Sequence, residues 1–306
     1  MNILSTIIPI FILILLGWIV KRKGFITPQF LDQANRLVYH LAIPAMIFRA
    51  ISRTDFYAQF NPCVLGSTLF AILVVFMIAW LTGRIFRMKR VMLGSFIQTS
   101  FHGNLGYIAL AVAYYFLGNE GLIRTSIIAG FAVILQNLLA VVALQTFSDS
   151  RPSGGNKHKI LMTVLGNPII ISAMAGICCS VLSIPIPLII DRALDILSGL
   201  ALPLALLIIG ATLSFKLMKS RVAFLFSSSM FKLLILPALG FILFKGFDQS
   251  PPEYLPGLII LAAPTATVSL VIAKEMGGDP DFAVAAISMS TMLSAVTLSL
   301  WLHIAA

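Results

Sequence analysis

The sequence predicts an all-α polytopic membrane protein: about ten transmembrane helices in two inverted five-helix repeats, with the fourth and ninth spans broken and crossed. Three observations predict it. The 306 residues are 59% hydrophobic and only 10% charged, whereas a soluble domain carries about 25% charged residues. Apolar runs recur along the whole chain at lengths that match the roughly 20 residues needed to cross a bilayer. The chain also matches itself at one constant offset, the signature of an internal repeat.

The apolar runs fall at approximately 3–20, 30–50, 63–84, 91–117, 123–147, 160–182, 188–213, 222–246, 256–275 and 281–303. The first has no basic region before it and is followed by Lys21, Arg22 and Lys23, so it is read as a retained span and not as a cleaved signal. Twenty-one Lys and Arg stand against eleven Asp and Glu, and in such a chain basic residues set topology before they do anything else. They crowd into alternate connections, at 21–23, 84–90, 151–159 and 216–221. Those connections are expected in the cytoplasm, with both termini outside and the protein in the plasma (bacterial inner) membrane. Nucleic acid is not expected as a partner. Cys63, Cys178 and Cys179 lie in apolar surroundings without metal-ligand spacing, and are expected as small buried hydrophobes.

Shifting the chain by 159 residues lays Pro9 on Pro168, Gly17 on Gly176, Asp32 on Asp191, Pro44 on Pro203, Phe56 on Phe215 and Gly118 on Gly277. The polar stretch near the midpoint then separates two halves, 1–147 and 160–306, as a cytoplasmic linker at 148–159. An odd number of spans in each half makes the second enter from the opposite face, the inverted repeat common among secondary transporters.

The same shift lays Gly103-Asn104-Leu105-Gly106 on Ala262-Ala263-Pro264-Thr265. Glycine weakens a helix by about 1 kcal/mol, and proline removes a backbone donor and clashes with the preceding turn. Both spans should therefore break near the bilayer midplane, where unwound backbone is tolerated only in protein or against a wet cavity. Paired breaks at corresponding positions point to a binding site, and half-helix N-termini there offer N–H groups and positive dipole ends to an anion.

The blocks "RLVYHLAIPAMIF", "NLGYIALAV", "GLALPLALLIIGATL" and "LAAPTATVSLVIAKEMGGDPDFAVAAISMSTMLSAVTLSLW" resemble those of the auxin efflux carrier family, which contains plant auxin exporters and bacterial permeases for small carboxylates. The resemblance covers essentially the whole chain. It implies a ten-span inverted-repeat permease with a scaffold part and a transport part, similar to the bile acid/sodium symporter and sodium/proton antiporter folds. By motif position the family's crossover Asn falls on Asn104, its following Gly on Gly106 and its second crossover proline on Pro264. Ala109 and Ala111 depart from the family's glycine and proline, which implies a first break less sharp than usual, with Gly103 and Gly106 supplying the flexibility. The short midpoint linker resembles the bacterial members.

Within the fourth, fifth, ninth and tenth spans, which the resemblance assigns to the transport part, the polar side chains include His102, Asn104, Gln136, Asn137 and Thr265. A neutral amide donates to a carboxylate and costs less in hydrocarbon than a charge. Asn104 and Asn137 are therefore expected to contact substrate, with Gln136, Gly106, Pro264 and Thr265 completing the site and Gly103, Gly106 and Pro264 acting as hinges. His102 is either a proton-coupling group or a neutral hydrogen-bonded histidine. Arg36 and Lys232 are expected to snorkel to the interface, Lys232 having the alternative of an electrostatic lure for anions. Pro44 and Pro203 are expected to kink scaffold helices.

The expected function is alternating-access transport of a small organic anion, most simply a carboxylate. A sodium-coupled symporter is the alternative, weakened because the crossover segments hold no Asp or Glu. No metal and no cofactor is expected. Neither is an enzyme, since His102 has no acidic partner in sequence and no HExxH occurs. A homodimer stays open.

Overall fold

A computed structural model describes residues 3–148, 166–214, 217 and 221–305. Apart from Ser148, the linker expected at 148–159, the start of the sixth span and Phe215 lie outside the described residues.

Fifteen α-helices are described. In the first half they are α1 (Ile3–Arg22), α2 (Pro28–Leu37), α3 (Ile43–Ser52), α4 (Phe56–Gln59), α5 (Pro62–Ile85), α6 (Arg90–Phe101) and α7 (Leu110–Phe147). In the second they are α8 (Pro168–Val181), α9 (Leu188–Ser198), α10 (Ala201–Thr212), α11 (Val222–Met230), α12 (Leu236–Gly246), α13 (Pro251–Ala262), α14 (Val268–Glu275) and α15 (Pro280–Ala305). Wide π turns at Val38–Ala42, Leu105–Ala109 and Phe231–Ile235 join α2 to α3, lead into α7, and join α11 to α12. Among the described residues no strand forms beyond one isolated bridge.

Among the described residues six helical stretches are long and apolar enough to cross a membrane: Ile3–Arg22, Pro62–Ile85, Leu105–Phe147, Leu188–Thr212, Val222–Gly246 and Pro280–Ala305. The protein is a polytopic helical membrane protein. Its surface carries the expected lipid-facing side chains, among them Ile12, Met77, Ile189, Ile196 and Val296, all more than half exposed. The cysteines join that surface, Cys178 exposed and Cys63 and Cys179 half-buried, which corrects their expected burial. In a bilayer an exposed thiol meets lipid tails and needs no core.

Local chemistry explains where the helices start and bend. Thr27, Asp55, Asn61 and Asn167 cap α2, α4, α5 and α8 with side-chain oxygens that accept first-turn N–H groups. Pro28, Pro62 and Pro168 occupy the first turns of their helices, where a missing N–H costs nothing. Gly118 bends α7 with φ +72°, a left-handed conformation that suits glycine. Gly277, with φ +70°, turns the chain between α14 and α15. Pro44 and Pro203 lie in the first turns of α3 and α10, just after the π turn at Val38–Ala42 and the break at Gly199-Leu200. They restart helices after interruptions already made.

Close approach of backbones fixes two helix pairs. α1 packs on α10 where a Cβ on Gly17 would lie 2.1 Å from the Leu207 carbonyl oxygen, and one on Gly210 would lie 1.8 Å from that of Ile14. α8 packs on α3 where a Cβ on Gly176 would lie 3.2 Å from the Phe48 carbonyl oxygen. Small residues at such contacts are the usual means of helix association in lipid. At one end of the molecule, Arg49 of α3 pairs with Asp191 (3.0 Å) and Asp195 (2.7 Å) of α9.

Candidate functional site

Two interrupted helices meet inside the protein. α6 ends at Phe101 and helix resumes at Leu105; α13 ends at Ala262 and α14 begins at Val268. The first break is complete despite Ala109 and Ala111, and it is shorter than the second. Between them, Gly103 and Thr265 form an antiparallel bridge. The Asn104 N–H donates to the Pro264 carbonyl (2.8 Å), and the Ala266 N–H donates to the His102 carbonyl (2.9 Å). Unwound backbone must satisfy its polar groups internally, and each break here does so largely on the other.

What the breaks leave over is taken by neighbouring helices. Gln136 of α7 accepts from the Gly103 N–H (3.1 Å) and donates to the Phe101 carbonyl (3.5 Å). Ser290 of α15 accepts from the Thr265 N–H (3.1 Å), and the Thr265 hydroxyl donates to the Thr99 carbonyl (3.0 Å). The Asn104 side-chain oxygen accepts from the Tyr107 N–H (3.2 Å) and so caps the restarted helix.

A cavity of 620 Å³ reaches the crossover from the side on which α2 begins. Exposed Asp32, Gln33 and Arg36 stand at its rim, and His102, Gly103, Asn104, Gly106, Asn137 and Thr267 line it at depth. Both half-helix N-termini, at Leu105 and Val268, border this space. Asn104 Nδ2 and His102 Nδ1 are buried without a hydrogen-bond partner among the described residues. Of the eleven buried side-chain atoms without a partner among the described residues, these two alone belong to residues that line the cavity. The Asn104 amide nitrogen is a donor, while the His102 ring nitrogen donates or accepts according to its tautomer.

The sequence-based candidates thus divide. Asn104, Asn137, Gly106 and His102 line the cavity, and Gly103 joins them there. Gln136, Pro264 and Thr265 do not: their polar atoms are spent on the crossover backbone. These three hold the site's shape, because a broken helix creates its own donors and acceptors and neighbours must answer them first.

The two charged residues expected to snorkel are placed differently. Arg36 lies on the cavity rim, with Asn35 and Tyr107 joined beside it by a hydrogen bond of 2.6 Å. Lys232 does not snorkel to an interface. It is fully buried, and its Nζ donates to the Leu261 carbonyl (2.6 Å) near the end of α13. The lysine sits in the π turn at Phe231–Ile235, which carries one extra residue per turn. Hydropathy and residue spacing carry no signal for that turn.

A family model described as "Membrane transport protein", that of the auxin efflux carrier family, matches residues 2–160 and 156–302. The chain belongs to this family. It is 27% identical over 310 residues to a protein of Rhizobium meliloti named "Putative malonate transporter", covering 97% of this chain and 94% of that one. An uncharacterized transporter of Methanocaldococcus jannaschii is 27% identical over 304 residues, with 97% of each chain covered. The uncharacterized transporter YfdV of Escherichia coli is 21% identical over 311 residues, covering 98% and 97%. The chain is a membrane transport protein by family.

Proposed function

We propose that this protein is a permease for a small organic anion, held at the crossover by Asn104, Asn137, His102 and the N–H groups of the half-helices that start at Leu105 and Val268. One observation carries this reading: Asn104 Nδ2 is buried, unpartnered and on a residue that lines a cavity bordered by two helix N-termini. Amide and peptide donors with positive dipole ends suit a carboxylate. Gly106 lets the restarted helix pack against Ile169 and Ile43, and Gln136, Pro264 and Thr265 keep the breaks in register. The relative named for malonate makes short dicarboxylates the first substrates to try.

Alternating access follows from a ten-span inverted repeat, which several paired features support. Residues 159 apart repeat their roles: Gly118 and Gly277 both take positive φ, and the pairs Gly17 with Leu207 and Gly176 with Phe48 bring helices together at equivalent points. A second cavity, of 530 Å³, is lined by Arg49, Arg53, Asp195 and Ser198. The positions 159 residues away are Ile208, Thr212, Arg36 and Tyr39, which line the crossover cavity. Among the described residues the second cavity includes none from 102–106 or 263–268. The two cavities are then the inner and outer halves of one pathway, with the inner half open.

Counting Leu105–Phe147 as two passes bent at Gly118 suits its length, since 43 residues would extend about 65 Å against a core of about 30 Å. The basic connections place the α2 end of the cavity in the cytoplasm and the termini outside, in a plasma (bacterial inner) membrane. The repeats are 1–147 and 160–306.

The test is uptake into proteoliposomes of malonate, other dicarboxylates and aromatic acids, with and without ion gradients. Saturable uptake that Asn104→Ala lowers at least tenfold supports the reading; an anion that binds but is never moved favours a receptor instead. An unchanged pH profile in His102→Gln removes proton coupling through that residue.

A further inference from the structure

Lys232 is fully buried inside a span and does not line the crossover cavity. No Asp or Glu is paired with it among the described residues. A buried charge normally needs a partner, and within a membrane span it is a functional residue by default. Its contacts say what it serves. Nζ donates to the Leu261 carbonyl at 2.6 Å, in the last turn of α13. The lysine also lies against Gly103, immediately after α6: a Cβ there would meet Lys232 Cε at 3.1 Å and Nζ at 3.2 Å.

The crossover therefore has two electrical faces. Its half-helix N-termini border the cavity, whereas on the other side α13 ends with its Leu261 carbonyl on the lysine, and α6 ends at Phe101, two residues before the Gly103 against which the lysine lies. Converging carbonyl oxygens also attract hard metal cations. Here an ammonium already sits there, on a lysine of the π turn at Phe231–Ile235, whose Leu233 carbonyl accepts from Trp301 Nε1 (2.8 Å).

We infer that Lys232 is the resident cation of the crossover: a positioning residue whose ammonium neutralises the carbonyl ends of α6 and α13 in place of a bound metal ion, so that transport by this protein needs no sodium. This rests on the permease reading and adds its coupling. The lysine touches backbone and not the cavity, and it acts by holding the breaks so that Asn104 and the opposite helix ends face the solute. A second cation beside it would meet like charge.

The experiment compares sodium chloride with choline chloride at equal ionic strength and fixed membrane potential. Purified wild type is assayed for thermal unfolding and for uptake of short-chain dicarboxylates in liposomes. Both readouts are expected to be equal in the two salts. Lys232→Met, which keeps length without charge, is expected to weaken dicarboxylate binding at least tenfold, and Lys232→Arg to recover part of that loss. Uptake or a melting temperature in the wild type that needs sodium overturns the inference, as does wild-type affinity in Lys232→Met. Should that variant fail to fold, the wild-type comparison decides. Should the wild type move no anion, the permease reading fails, while the melting temperatures in the two salts still answer whether sodium binds.

Discussion

The Asn104 N–H donates to the Pro264 carbonyl across 2.8 Å, joining residues 160 positions apart at the point where both of their helices are interrupted. That bond and its neighbours turn two weak points in the sequence into one rigid cross-piece. The two ends of the Asn104 side chain differ: its oxygen caps the restarted helix while its Nδ2 is buried with no hydrogen-bond partner among the described residues.

The division predicts different outcomes for two substitutions. Asn104→Ala removes both functions, with a stability loss of about 1 kcal/mol from the missing cap and an affinity loss of tenfold or more. Asn104→Asp keeps a capping oxygen and places a negative charge toward the anion, so the melting temperature should stay near the wild type while uptake is abolished. Thermal unfolding and uptake measured side by side distinguish the two; retained uptake in Asn104→Asp contradicts the assigned role.

Gln136→Ala should behave as a structural change. It strips the buried Gly103 N–H of its acceptor, and an unsatisfied buried donor costs about 1–3 kcal/mol. A lowered melting temperature with little change in substrate affinity is expected. Asn137→Ala, on the cavity lining, should do the reverse, raising KM at nearly unchanged stability.

The glycines separate strain from crowding. At Gly118 nothing lies within 4 Å of an added Cβ, so Gly118→Ala costs only its positive φ, about 1–2 kcal/mol. Gly17→Val drives a side chain into the Leu207 carbonyl, where the Cβ alone would stand at 2.1 Å. Overpacking of this kind costs about 1–3 kcal/mol at a yielding site, and more is expected between two backbones. Detergent unfolding midpoints of the two variants check the order.

Much of this was legible in the sequence, because glycine, proline and asparagine in apolar runs have few other uses. They marked both breaks, and Asn104 and Asn137, picked out as neutral donors in lipid, both line the cavity. Gln136 and Thr265 were the right kind of residue with a different partner, since the breaks themselves expose backbone groups that claim them first. Lys232 was misplaced because hydropathy and spacing show neither the π turn in which it sits nor the Leu261 carbonyl that receives its Nζ. Arg36 was read as interfacial, and the interface proved to be the mouth of the cavity.

The central claim is that an anion enters from the α2 side and settles between the two breaks, and labelling of Asn137→Cys tests it most directly. In a chain whose Cys63, Cys178 and Cys179 are replaced by serine, an impermeant thiol reagent should modify that position from the cytoplasmic face, and a saturating short-chain dicarboxylate should slow it at least tenfold. Labelling from the outer face alone, or at the same rate with and without every dicarboxylate tried, would contradict it.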